Sequence, residues 1–117
     1  MKELQEKVKK FNEEREWGHV KEIKDLLLNM NEEIGELWHI IKWVDEEKQK
    51  ELLEKYKSEV GNVIGDMNYL LLKIATICNI NSKEETEKVL KEYEKRFPVN
   101  ESKGSHGNVR AGGIDNK

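Results

Sequence analysis

The stretch that decides the fold runs from 25 to 43 and reads DLLLNMNEEIGELWHIIKW. Its apolar residues, such as Leu26, Met30 and Leu37, recur every three or four positions, which predicts an amphipathic helix over about Ile23–Trp43. A second stretch, VIGDMNYLLLKIATIC at 63–78, is apolar on most sides and predicts a more buried helix. No alternating strand pattern occurs anywhere, so the sequence predicts an all-α fold.

Two further helices flank this pair. One is predicted from about Lys2 to Arg15, and the buried stretch belongs to a long helix that begins near Asp45 and ends near Cys78. The last helix begins with a capping box at Ser82 and stops before Pro98. The prediction is therefore a helical domain over 1–97, with a four-helix core completed by oligomerisation. A glycine-rich tail over 98–117 is either disordered or a mobile lid.

Composition excludes several classes of protein. The chain has 117 residues, of which 36% are hydrophobic and 38% charged, so one chain can bury only a thin core and a homodimer or larger homo-oligomer is expected. The formal net charge of −3 argues against nucleic-acid binding. A single cysteine, no apolar run long enough for a membrane span and a charged N-terminus together predict a cytoplasmic protein without a membrane partner.

Carboxylates lie within the apolar helices, which is the informative feature. Glu33 and Glu36 fall about 60° apart on a helical wheel, and Asp25, Asn29 and Glu32 share their side. In the other helix Asp66 shares a face with Glu59, Asn62, Tyr69 and Lys73. Buried carboxylates are costly unless a hard cation such as Mg²⁺ neutralises them, so these residues are candidate metal ligands. The alternative is a solvated acidic face, with Asp66 paired to Lys73.

Three glycines lie beside these acids. Gly35 interrupts the acidic motif, and Gly61 and Gly65 are one turn apart just before Asp66. Since glycine is unfavourable inside a helix, we expect helix backbones to approach one another closely there, or else ordinary helix packing.

Several motifs, in this order and spacing, resemble those of the all-α nucleoside triphosphate pyrophosphohydrolases, the MazG-like group, and in particular its dCTP pyrophosphatase-like branch. EEIGEL at 32–37 matches the EExxE motif, and IGD at 64–66 resembles the end of the ExxD motif. The resemblance extends over residues 1 to about 105. The other stretches that carry it are FNEEREW at 11–17, KDLLL at 24–28, KW at 42–43, Ala75, NINSKEE at 79–85, RFPV at 96–99 and KG at 103–104.

This resemblance implies a helical dimer or tetramer that hydrolyses the α–β phosphoanhydride of nucleoside or deoxynucleoside triphosphates. The products are the monophosphate and pyrophosphate, and the cofactor is Mg²⁺, with Mn²⁺ as a substitute. It implies that Glu33, Glu36 and Asp66 are metal ligands. Glu32 and Glu36 are the candidates for the catalytic base, because a carboxylate beside the metal can take the proton of the attacking water. One position departs from the family: Val63 stands where ExxD has its glutamate, and Glu59, one turn earlier, is the candidate replacement.

Because of Val63, a second interpretation stays open: a catalytically impaired relative that binds nucleotide or only forms a structural bundle. A coiled-coil interaction module is a third, weaker interpretation, since heptads are not sustained. If the chain is an enzyme, lysine and arginine side chains are expected to hold the phosphates, and aromatic rings to stack on the base. The candidates for substrate binding are Trp17, Lys24, Asp25, Asn29, Trp43, Tyr69, Lys73, Lys103 and Arg110.

Overall fold

The computed structural model describes residues 1–102, so Lys103, Arg110 and most of the predicted tail lie outside the described residues. Within 1–102 the chain is helical and has no strand, which confirms the all-α fold class. The helices are α1 (Lys2–Glu13), a short 3₁₀ helix (Val20–Glu22), α2 (Ile23–Ile41), α3 (Glu46–Lys55), α4 (Lys57–Ile77), α5 (Ser82–Arg96) and α6 (Val99–Ser102).

The long third helix of the sequence prediction is wrong, because the structure divides it at Tyr56 into α3 and α4. Tyr56 has φ −102° and ψ 29°, which is outside helical geometry, although its amide still donates to the carbonyl of Leu52. A true break also separates α2 from α3. Trp43 takes a left-handed φ of 63°, and the Asp45 side chain then accepts a hydrogen bond from the Lys48 amide at 2.8 Å. Asp45 therefore caps α3, as side-chain oxygens do at helix starts.

The core is small and centres on α4, which packs against α2 and α1. Its buried apolar side chains in the described residues are Val63, Leu70, Leu72 and Ala75 from α4, Leu26 from α2 and Val8 from α1. Large apolar side chains on the same helices stay exposed, namely Leu27, Leu28, Ile34 and Trp38 on α2, and Ile64 and Leu71 on α4. A single chain thus leaves much of its apolar surface in water, as its composition predicts.

The predicted close approach of helices at the three glycines is wrong within this chain. A Cβ placed on Gly35, Gly61 or Gly65 would meet no atom within 4 Å, apart from its own helix's backbone and chain neighbours. All three positions are exposed. The acids come together without help from these glycines, because α2 and α4 meet through other residues of the same helices.

The chain groups into two units that divide after Asn81. The first holds α1 to α4 and every candidate site residue within 1–102; the second begins with α5 at Ser82. The predicted domain boundary at 97/98 stays a prediction. No single helix of the described residues is both long and apolar enough to cross a membrane.

Candidate functional site

Three carboxylates of α2 and α4 lie near one another, but only Glu33 is partly buried, and the predicted burial is wrong for Glu36 and Asp66, which are exposed in the single chain. The carboxylates of Glu36 and Asp66 are close enough to Glu33 to raise its pKa, although Asp66 is on a different helix. Asn62, one turn before Asp66, donates its side-chain amide to Asp66 Oδ2 at 3.3 Å. The helical period places Glu33 and Glu36 on one face of α2, and Asn62 and Asp66 on the facing side of α4.

Glu33 is the central member of this carboxylate cluster. Its partial burial, and after that the negative charges of Glu36 and Asp66, raise the pKa of the Glu33 carboxyl group above its ordinary value. Its Oε2 is buried and accepts no hydrogen bond in the described residues. A buried carboxylate oxygen without a partner requires either a proton or a cation. Oxygen ligands of this kind suit a hard divalent cation such as Mg²⁺.

An open cleft of about 840 Å³ adjoins the cluster between α2 and the first half of α4. Glu36 belongs to the cluster and also lines the cleft. Glu32 and Glu59 line the cleft as well. Val63 lines it as well and is only 3% exposed. The remaining lining residues are Gly35, His39, Ile40, Ser58 and Asn62.

The four predicted metal ligands do not form a finished coordination shell. Among residues 1–102, no group of three or more His, Cys, Asp or Glu side chains is arranged to hold a metal ion as it stands. Glu59 lines the cleft, whereas the carboxylates acting on Glu33 are those of Glu36 and Asp66. Val63 stands where the resembled family has the glutamate of ExxD. Its side chain is buried and has no oxygen, so this position supplies no metal ligand here.

Lys73 has a structural partner, which is not Asp66. Its Nζ lies 2.7 Å from Glu22 Oε1, and its side chain is 7% exposed. The hydrogen bond from the Lys73 ammonium group, and after it the hydrogen bond from the His19 amide, lowers the pKa of Glu22 to about 2. Glu22 Oε2 also accepts from the Gly18 amide at 2.6 Å. The alternative pairing of Asp66 with Lys73 is therefore wrong, and the proposed phosphate contact of Lys73 would compete with Glu22.

The three candidate base-stacking aromatics are not gathered in one place. Trp17 is half exposed and packs edge-on against Phe11, with Lys73 Nζ 5.3 Å from its ring centroid. Tyr69 also meets Phe11 edge-on and donates its hydroxyl to Asn12 Oδ1 at 3.2 Å. Trp43 is 89% exposed, and its ring meets that of Trp38 edge-on.

The other candidate residues lie on the surface of α2. Lys24, Asp25 and Asn29 are exposed. They remain predicted substrate contacts, as do Lys103 and Arg110 beyond the described residues.

Two cleft residues, His39 and Ser58, were missed as site candidates. His39 and Ser58 are exposed residues that line the cleft. A signal was present, because His39 lies one turn after Glu36 and Ser58 lies one turn before Asn62.

Comparison with known proteins gives one relationship. No family model matches the chain, and no curated protein matches it significantly. The structure is similar to the crystal structure of a pyrophosphatase from Archaeoglobus fulgidus, with a TM-score of 0.69 and 28% sequence identity. The match covers 82% of this chain and 90% of the other. The chain thus has a pyrophosphatase-like helical fold.

Proposed function

We propose that this chain is a cytoplasmic, Mg²⁺-dependent nucleoside triphosphate pyrophosphohydrolase that removes unwanted nucleotides. The observation that carries the proposal is that Glu36 and Asp66 lie close to Glu33, whose buried Oε2 accepts no hydrogen bond within residues 1–102. The similarity to a pyrophosphatase supports hydrolysis of a phosphoanhydride in general. The sequence motifs support the triphosphate substrate and the cleavage between its α and β phosphorus atoms.

Glu33, Glu36 and Asp66 are the residues that would hold Mg²⁺, with Glu59 as a further candidate on the cleft wall. When bound, Mg²⁺ supplies charge neutralisation and Lewis acidity toward phosphate oxygens. Glu32 and Glu36 border the cleft, and one of them would take the proton of a water molecule as the catalytic base. That water attacks the α phosphorus, and the bond to the bridging oxygen breaks, so pyrophosphate leaves and the nucleoside monophosphate remains.

The working particle is proposed to be a homo-oligomer. Leu28 and Ile34 on α2, and Ile64 on α4, are each more than half exposed in the single chain. A second copy of this chain would remove such surface from water, which the small core makes favourable.

The test is hydrolysis of a panel of ribonucleoside and deoxyribonucleoside triphosphates with Mg²⁺, with pyrophosphate and orthophosphate measured separately. We expect pyrophosphate as the product, and a loss of about 10²- to 10⁴-fold in Glu36→Gln if Glu36 takes the proton. Glu3→Gln is the matched control, because Glu3 is an exposed glutamate of α1 away from the cleft. Equal rates for wild type and Glu36→Gln, or orthophosphate as the product, would contradict the proposal.

A nucleotide-binding relative without turnover is the second candidate. It is favoured by the burial of Val63 and by the lack of a finished coordination shell among residues 1–102. This candidate predicts a thermal shift with Mg²⁺ and nucleotide but no product.

A further inference from the structure

No contact within the described residues explains why a glycine stands at position 35 inside α2. It lies in the interior of a 19-residue helix, where glycine is less favourable than alanine. A Cβ at this position would meet no atom within 4 Å. Unlike Gly61 and Gly65, Gly35 lines the cleft. A missing side chain on a cleft wall lets a bound molecule approach the helix backbone closely.

The walls around Gly35 differ in chemistry from the carboxylate cluster. Ile40 and Val63 provide apolar surface, and His39 and Ser58 provide hydrogen-bond donors from opposite sides of the cleft. Neither donor is engaged in a hydrogen bond or ion pair within the described part of the chain. The cleft contains no lysine or arginine among its described lining residues, and Glu59 adds negative charge. Such walls suit a flat, partly apolar group with polar edges better than a phosphate chain.

The positions of these residues along α2 and α4 separate the hydrogen-bond donors His39 and Ser58 from the carboxylate cluster. His39 lies six residues beyond Glu33 on α2, a rise of about 9 Å. On α4, Ser58 precedes Asp66 by eight residues, a rise of about 12 Å. His39 and Ser58 therefore lie at one end of the cleft, and Glu33 and Asp66 lie beyond its other end, next to Glu36 and Asn62. Lys24, one of the candidate substrate contacts, is in the first turn of α2, on the far side of Glu33 from His39.

We propose that the cleft holds the nucleoside end of the substrate against the Gly35 backbone, while the phosphates extend toward Glu33 and Asp66. His39 and Ser58 donate hydrogen bonds to acceptor atoms of the base or sugar. This inference rests on the proposed function and deepens it, because it makes a nucleotide the ligand in preference to an inorganic polyphosphate.

The test is calorimetric titration, with Mg²⁺ present, of two ligands that share a phosphate chain. One is an α,β-imido deoxynucleoside triphosphate, tried with each of the four bases and not hydrolysed at the α–β link. The other is inorganic tripolyphosphate. Gly35→Ala is expected to weaken nucleotide binding at least about fivefold, because an added methyl group crowds the ligand. The affinity for tripolyphosphate is expected to stay within twofold.

The matched control is Gly65→Ala, another glycine inside a helix with open space around its Cβ. Both alanine variants are expected to melt a few degrees higher than wild type, since alanine favours the helix. Only Gly35→Ala should lose nucleotide affinity. As a second variant, His39→Ala is expected to weaken nucleotide binding about three- to tenfold, as for one lost hydrogen bond, with tripolyphosphate again unchanged.

The outcomes separate this inference from the proposed function. If wild type binds nucleotides and Gly35→Ala binds them equally well, the inference is wrong and the proposed function stands. Equal losses for nucleotide and tripolyphosphate, or equal losses in Gly65→Ala, also overturn the inference. If wild type binds none of the four deoxynucleotides and none of the corresponding ribonucleotides, the proposed function itself fails.

Discussion

Replacing Glu33 by glutamine is expected to stabilise the chain in the absence of Mg²⁺ and to remove its response to Mg²⁺. The exchange keeps the size of the side chain and removes its charge. In wild type, Glu36 and Asp66 repel the ionised Glu33 carboxylate, whose buried Oε2 accepts no hydrogen bond from the described part of the chain. A neutral amide does not suffer this repulsion, but it is a poor ligand for a hard cation.

The pH dependence has a definite sign. The pKa of Glu33 is higher in the folded chain than its ordinary value of 4.5, so the folded state binds the proton more tightly than the unfolded state. The stability that this proton contributes is present below about pH 4.5 and is lost as the pH rises through the raised pKa. Glu33→Gln should therefore gain stability relative to wild type as the pH rises above 4.5 toward neutrality.

The size of the Mg²⁺ effect follows from mass action. At a free Mg²⁺ concentration ten times the Kd, binding adds about 1.4 kcal/mol to the free energy of unfolding. A chain of 117 residues has an unfolding entropy of about 0.25 kcal/mol per kelvin. Wild type should therefore melt about 6 °C higher with Mg²⁺ at that concentration, and Glu33→Gln should show no such shift.

Thermal melting followed by circular dichroism, with and without Mg²⁺ between pH 4 and 8, measures both effects. Glu3→Gln serves as the control for removal of an exposed carboxylate in α1. Two results would refute the reasoning: the same Mg²⁺ shift in wild type and Glu33→Gln, or a lower melting temperature of Glu33→Gln at neutral pH without Mg²⁺.

Three further perturbations test other parts of the structure. Lys73→Met leaves Glu22 without its main partner. Wild type loses stability as the pH falls from 4.5 to about 2, because protonation of Glu22 breaks its ion pair. In the variant, urea unfolding should show much less of this loss in acid. Leu70→Ala, at a side chain only 3% exposed, should lower the free energy of unfolding by about 2–5 kcal/mol. Leu4→Ala, at a side chain 49% exposed, should change it by less than about 0.5 kcal/mol, and similar losses for both would argue against the core described here. Ile64→Lys should shift the particle toward monomer in light scattering while helicity is retained; an unchanged mass would exclude this face from the interface.

Helical periodicity was sufficient to anticipate much of the architecture. The apolar spacing in 25–43 and the capping signals near Ser82 gave helices that the structure contains. The same period put Glu33 and Glu36 on one face of α2. Since apolar residues beside these acids have to pack against another helix, the acids are carried toward α4, where Asp66 lies.

Contacts between distant residues could not be predicted in this way. Lys73 shares a helical face with Asp66, which made their pairing plausible, but the short 3₁₀ helix before α2 brings Glu22 to Lys73 instead. Only the tertiary fold decides between such partners. The break at Tyr56 was also missed, because 45–78 contains no proline and has good helix formers on both sides of Tyr56.

The glycines show a different limit of sequence reasoning. A glycine inside a helix indicates that something lies close to the backbone, but it does not say what. Helix packing was the expected cause, and the open space around Gly35, Gly61 and Gly65 excludes it within the single chain.

Glu22 joins three groups at once: the amides of Gly18 and His19, and the ammonium group of Lys73. Replacing only Glu22 or only Lys73 leaves the remaining charge unpaired, whereas replacing both by uncharged side chains of similar size leaves no unpaired charge. The substitutions tolerated at position 22 therefore depend on the residue at position 73, and the reverse. A genetic selection for suppressors of a lysine replacement at 73 should recover compensating changes at 22 more often than at any neighbouring position.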